Sequence, residues 1–396
     1  MSRLWDKGEP LDQRILRYCA GEDHKLDERL VAHDVTASIA HARMLSAQGL
    51  LDTADCEAIT GGLQALATAH AAGEWCISLE EEDCHTALES RLTARIGEAG
   101  GRVHLGRSRN DQVLTALRLY LLEALEALAG LATGVAESLD ALAARQGEVA
   151  LPGYTHMQPA MPSSVALWAG GFAAEFRDDA AALRRVRHRA GLNPLGSAAG
   201  YGVPGLPLDR TATTRALGFD AVHEPVTAVQ LSRGKAESEL LFQVTLTLND
   251  LARLAADLLL YYTHEFAFVR LPESMTTGSS IMPQKRNPDV FELLRGAVAT
   301  GHGALTEALG IVLKLSSGYH RDLQRLKAPL FRGIDLAADS LAIAAVAIDG
   351  VAFRPESIQL PDELHAAERA NAMVRDEGIS FREAYRRVAA QYKSGP

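Results

Sequence analysis

The chain has 396 residues, 47% of them apolar, too many for one ordinary core and enough to fill two or three domains. A formal charge of −10 and an isoelectric point near 5.7 exclude a broad basic surface for nucleic acid or an anionic membrane, so any anion site has to be local. Cys19, Cys56, Cys76 and Cys84 show neither zinc-ligand spacing nor a disulfide framework. The start of the chain has no leader-like pattern and no run approaches ~18 apolar residues, so the reading is a soluble, cytoplasmic protein with free thiols.

Shorter amphipathic helices are predicted first, at 35–49 and 53–72, followed by a break at Gly73 and the acidic run 80–83. The segment 104–112, HLGRSRNDQ, then leads into a long helix. Ser108 with Asp111 three residues on fits a capping box, which leaves Arg107, Arg109 and Asn110 unexplained. Basic and amide side chains at the positive end of a helix make a seat for a carboxylate, and a purely structural cap is the competing reading. Beyond it Leu114, Leu117, Leu121, Leu125, Leu128, Leu131, Val135, Leu139 and Leu142 advance in steps of three or four, an apolar stripe spanning roughly 43 Å at ~1.5 Å per residue.

The segment 151–162, LPGYTHMQPAMP, reads as a proline-rich loop. His156 stands there among Tyr154, Thr155 and Gln158, where an imidazole can act as acid or base; an ordinary surface histidine is the alternative. Further helical stripes are carried by Val165, Trp168, Phe172 and Phe176, then by Leu240, Val244, Leu248, Leu251, Leu254, Leu258 and Tyr261. A last stripe uses Leu294, Val298, Leu305, Leu309 and Val312. The middle helix is apolar on more than one side through Leu241, Leu246, Leu259, Leu260 and Tyr262, which predicts neighbours on more than one side and an oligomer. Between the last two stripes lies 276–289, TTGSSIMPQKRNPD. It has no helical or strand period and is broken by Pro283 and Pro288, while offering hydroxyls, an ammonium and a guanidinium to a small anion; a polar linker is the plainer alternative. The segment 316–327, SSGYHRDLQRLK, adds Tyr319, Arg321, Gln324 and Lys327, and alone it reads as a solvated helix start. Helices at 362–375 and 380–392 close the chain.

No run carries hairpin chemistry, so the expected fold is all-α: an elongated bundle of long helices at shallow crossing angles. The expected division is 1–106, 107–350 for the long-helix bundle, and a short unit 351–396.

GSSIMPQKRNPD at 278–289 resembles the signature loop of the aspartase/fumarase lyase superfamily, GSSxMPxKxNP, at every fixed position. Within it, GRSRNDQV at 106–113, PGYTHMQPA at 152–160 and YHRDLQRLK at 319–327 are similar to the argininosuccinate lyases, and the likeness runs from LDERL at 26–30 to FREAYRRV at 381–388. The resemblance implies reversible β-elimination of argininosuccinate to arginine and fumarate, the last step of arginine biosynthesis, without metal or organic cofactor. It also implies a homotetramer whose central helices form one large bundle and whose composite sites draw on three subunits. It assigns Ser279 as the general base, His156 as the group assisting protonation of the leaving nitrogen, and Lys285 and Asn287 as holders of the carboxylate that receives the charge. Ser108, Arg109, Asn110 and Thr155 would hold the succinate carboxylates, and Tyr319, Gln324 and Lys327 the arginine part or its carboxylate. Asp27, Asp83 and His85 would line the site or support His156.

The chain departs from the family at three places. Asp23 stands where serine is common, Arg325 and Leu326 replace two acids, and the segment 220–241 lacks a clean counterpart of the family's arginine, with Arg233 as the candidate. The competing functions are a sister lyase releasing fumarate, such as adenylosuccinate lyase, and a non-catalytic structural homologue.

Overall fold

The computed structural model describes residues 12–392. The chain is mostly helical. Asp52 caps Thr53–Ala71 by accepting the Asp55 N–H at 2.8 Å, and Asp83 caps Cys84–Ile96 by accepting from Thr86 at 2.8 Å. With Val31–Ala47, these form a packed helical group.

Five long helices follow: Arg109–Gln146, Val165–Arg185, Lys235–Tyr262, Asp289–Val312 and Lys327–Gly350. In the first, the predicted stripe is buried except at Leu131, which is half-buried. In the third, all seven predicted positions from Leu240 to Tyr261 are buried. Arg109–Gln146 is also long and apolar enough to cross a bilayer, but so is a core helix whose stripe packs against protein.

The Asp289–Val312 stripe runs differently from the prediction. Its buried face is Phe291, Leu294, Ala297, Ala304 and Ala308, while Leu309 is exposed and Val298, Leu305 and Val312 are half-buried. Alanines carry much of this face because they admit close neighbours, while Leu293 and Leu309 point outward.

Three small ribbons accompany the helices. The longest corrects the prediction of a proline-rich loop: Ala150–Thr155 and Gln158–Ser164 form an antiparallel hairpin with Pro152 opposite Pro162. A two-stranded ribbon has only edge strands, so prolines fit where they do not have to donate. The two-residue turn is His156 and Met157, both at positive φ, 53° and 60°, as primed hairpin turns require.

The chain divides into two compact units. The first comprises the described part of Met1–Leu128 with Ala182–Val244 and Gly301–Asp335; the second comprises Ala129–Ala181, Thr245–Thr300 and the described part of Leu336–Pro396. In the second, Trp168 Nε1 donates to Asp257 Oδ2 at 2.9 Å, and its ring meets Phe353 edge-on at 5.5 Å. The tail helices Ala366–Glu377 and Phe381–Tyr392 pack on each other through Ala370, Ala384 and Val388.

Candidate active site

A pocket in the first unit gathers residues from five stretches of chain. Asp23 and Asp83 form its acidic side, Arg109 and Asn110 come from the start of a long helix, Tyr319 and Gln324 come from the segment before another, and Lys327 is that helix's first residue. Arg233 and Arg321 complete the basic side.

Lys327 is a buried member of this lining. Its ammonium donates to Asp23 Oδ2 at 2.8 Å and to Asp27 Oδ1 at 2.6 Å, and all three residues are buried. Burial opposes the lysine's charge, but Asp27 and Asp23 outweigh it and hold the ammonium above its ordinary value. Two carboxylates facing one ammonium disfavour full ionisation of both. Burial lifts the Asp23 carboxyl to about 7 against the pull of Lys327, with Asp27 and Asp83 adding to the rise. Asp27 also accepts the Cys84 N–H at 3.3 Å, which fixes it at the first turn of Cys84–Ile96.

Asp83, the cap of that helix, is ion-paired with Arg109. Burial disfavours its charge, but Arg109 and His85 outweigh this and keep its carboxyl below the ordinary value. Glu82 lies 3.9 Å from Arg109 and accepts from Arg321 at 3.1 Å. Arg321 also donates to the Cys19 carbonyl at 3.1 Å, and Gln324 Nε2 donates to the same carbonyl at 2.9 Å.

Arg233 differs from the other cations of the pocket. It is 7% exposed, its guanidinium lies 6.0 Å from the Tyr319 ring, and its Nε and Nη1 have no hydrogen-bond partner. Gly234 beside it has φ 84°, and a side chain there would strike Val312, so the turn that presents Arg233 requires glycine.

Ser108 and Asp111 form the capping box read from the sequence: Ser108 Oγ accepts from Asn110 N at 3.3 Å, and Asp111 Oδ1 accepts from Ser108 N at 2.9 Å. Asp111 Oδ2 also accepts N–H bonds from Gly196 and Ala198, both at 2.9 Å, anchoring the segment after Leu192–Asn193 to the helix start. His85 sits behind the pocket, with Nδ1 2.9 Å from Asp34 Oδ2. Burial lowers its basicity, yet Asp34 more than compensates, so His85 is held above the ordinary histidine value. Gln112 donates to both Asp34 oxygens at 3.1 Å.

The remaining candidates lie in the second unit. Thr155 and His156 are exposed at the tip of the hairpin. The loop holding Ser279 is closed at its base by Thr277 and Asn287, whose N–H groups donate to each other's carbonyls at 3.0 and 2.8 Å. The Asn287 amide donates to Thr277 Oγ1 and to the Gly278 carbonyl, both at 3.3 Å. Ser279 Oγ accepts from Met282 N at 3.2 Å and, more weakly, from Ile281 N at 3.4 Å. Donors aimed at a hydroxyl oxygen favour its deprotonated form. Residues 280–286, including Lys285, are exposed.

Three features were missed in the sequence. Glu82 was read as part of an interrupting acidic run, although it pairs with Arg321. Asp34 on Val31–Ala47 carried no signal beyond helical spacing, and Arg321 was noted only as a donor.

Known proteins resemble this chain along most of its length. The lyase family matches residues 16–301. The chain is 47% identical over 396 residues to argininosuccinate lyase of Sorangium cellulosum, covering 100% of this chain and 91% of that protein. It is 38% identical to argininosuccinate lyase of Thermotoga neapolitana, covering 98% of both. Among solved structures, EDDS lyase with bound fumarate superposes with a TM-score of 0.80 at 25% identity, covering 96% of this chain and 76% of that one. By kinship along its whole length, the chain belongs to the argininosuccinate lyase family.

Proposed function

We propose that the chain cleaves argininosuccinate to arginine and fumarate in the cytoplasm by general acid and base catalysis. The step is a β-elimination: a proton leaves the succinyl carbon beside one carboxylate, and the bond from the neighbouring carbon to the guanidino nitrogen breaks. Removing the proton drives negative charge into a carboxylate that is already an anion, so donors and cations have to surround it. Ser279 takes the proton, and Lys285 and Asn287 hold the carboxylate that receives the charge. His156 assists protonation of the departing nitrogen. Ser108, Arg109, Asn110 and Thr155 hold the succinate carboxylates, and the pocket of Tyr319, Gln324 and Lys327 receives the arginine part, with Asp27, Asp83 and His85 fixing its walls.

The observation that carries this reading is the Ser279 hydroxyl, already an acceptor of loop N–H groups at 3.2 and 3.4 Å. A serine is a poor base in water, and such donors are what its alkoxide requires. Assembly into a homotetramer with composite sites belongs to the same proposal. It is supported by large apolar side chains left exposed on the long helices, among them Leu167, Phe242, Leu293 and Leu309. The three-part division at residues 106 and 350 belongs to it as well.

A substrate panel tests the function. Incubation with argininosuccinate and, separately, adenylosuccinate, with fumarate followed by ultraviolet absorbance, should show release from argininosuccinate alone. Release from adenylosuccinate alone would overturn the assignment.

A further inference from the structure

The pocket of the first unit is charged in a way that a lysine seat for a carboxylate does not explain. Lys327 donates to two carboxylates, Asp23 at 2.8 Å and Asp27 at 2.6 Å. Both carboxylates already occupy the ammonium, which leaves it little to offer a further carboxylate. Gln324, the neighbouring donor, already spends its amide on the Cys19 and Ala20 carbonyls at 2.9 and 3.3 Å. Of the four cations lining the pocket, Arg109, Arg321 and Lys327 are ion-paired, whereas Arg233 is 7% exposed with Nε and Nη1 unpartnered. A buried guanidinium without acceptors is costly unless a ligand supplies them.

We propose that Asp23 and Arg233 form a clamp for an α-amino-acid head group, Asp23 taking the α-ammonium and Arg233 the α-carboxylate. An arriving ammonium joins Lys327 to give two cations for Asp23 and Asp27. The carboxylate gives Arg233 the planar, two-oxygen partner that its fork matches. The pocket thus complements a zwitterion, and Asp23 assigns the two ends. The clamp rests on the reading that the arginine part of the substrate enters this pocket.

Calorimetric titration of the full-length protein with arginine, agmatine, which lacks the α-carboxylate, and desaminoarginine, which lacks the α-amino group, reads the clamp independently of turnover. Asp23→Asn should weaken arginine and agmatine about ten-fold or more and leave desaminoarginine within about two-fold; Arg233→Gln should weaken arginine and desaminoarginine likewise and spare agmatine. Asp23→Ser and Arg233→Lys supply second variants, with thermal melts to establish folding. Tighter binding of arginine and desaminoarginine to Asp23→Asn would overturn the clamp in favour of a Lys327 carboxylate seat. Failure of the unmutated protein to bind arginine would overturn it as well. An unmutated protein that binds arginine in this pattern but releases no fumarate from argininosuccinate would contradict the proposed reaction and leave the clamp standing.

Discussion

Lys327 and Asp23 lie 304 residues apart in sequence and share a buried hydrogen bond of 2.8 Å. Together with Asp27 they tie the start of a long helix to the first helices of the chain, and Lys327 and Asp23 line the pocket. Lys327→Met removes the ammonium facing the two carboxylates and leaves both buried without it. The expected loss is about 3–5 kcal/mol of stability, read as a fall in the denaturant midpoint. An unchanged midpoint would contradict the account of this triad.

Asp23 also sets a pH dependence. Burial lifts its carboxyl to about 7 in the folded chain, above the ~3.9 of an unfolded aspartate. The folded state therefore holds this proton more tightly. Its contribution to stability is complete below the unfolded value and is lost as pH rises through the folded one. Asp23→Asn cannot titrate, so the unmutated protein should lose stability relative to the variant between about pH 5 and pH 8. Denaturation curves for both proteins at the two pH values check this, and parallel changes would contradict it.

The capping box gives a separate expectation. Ser108→Ala removes the acceptor of the Asn110 N–H and should cost about 1 kcal/mol. Asp111→Ala releases three N–H groups, those of Ser108, Gly196 and Ala198, and should cost more. Equal melting temperatures for the two variants would deny Asp111 its anchoring role.

His156 occupies a hairpin turn at φ 53°, a conformation that asparagine tolerates well. His156→Asn should keep the unmutated melting temperature while kcat falls about 10²- to 10⁴-fold, the usual contribution of a positioned acid or base. A large fall in melting temperature with kcat retained would make the residue structural.

The long helices could be read from the sequence because their leucines recur every three or four residues, and burial follows that spacing from Leu114 to Leu142 with only Leu131 partly open. The same rule failed on Asp289–Val312, where Ala297, Ala304 and Ala308 carry a buried face that a search for large side chains passes over. The hairpin was hidden by Pro152, Pro159 and Pro162, which signal a loop unless it is known that both strands are edges. The polar clusters were visible as exceptions to helical patterning, but their pairing was not. Nothing in the spacing indicates that Asp23 reaches Lys327, that Glu82 reaches Arg321, or that Arg233 is buried with Nε and Nη1 unpartnered. Those relationships arise only when segments hundreds of residues apart pack together.

The central claim is that Ser279 takes the proton from argininosuccinate. The most direct measurement is the rate of fumarate release from argininosuccinate by the unmutated protein and by a folded Ser279→Ala variant. The account predicts steady release by the former and a loss of about 10²-fold or more in kcat for the latter, the scale of a lost general base. Ser279→Ala turning over at the unmutated rate would contradict it.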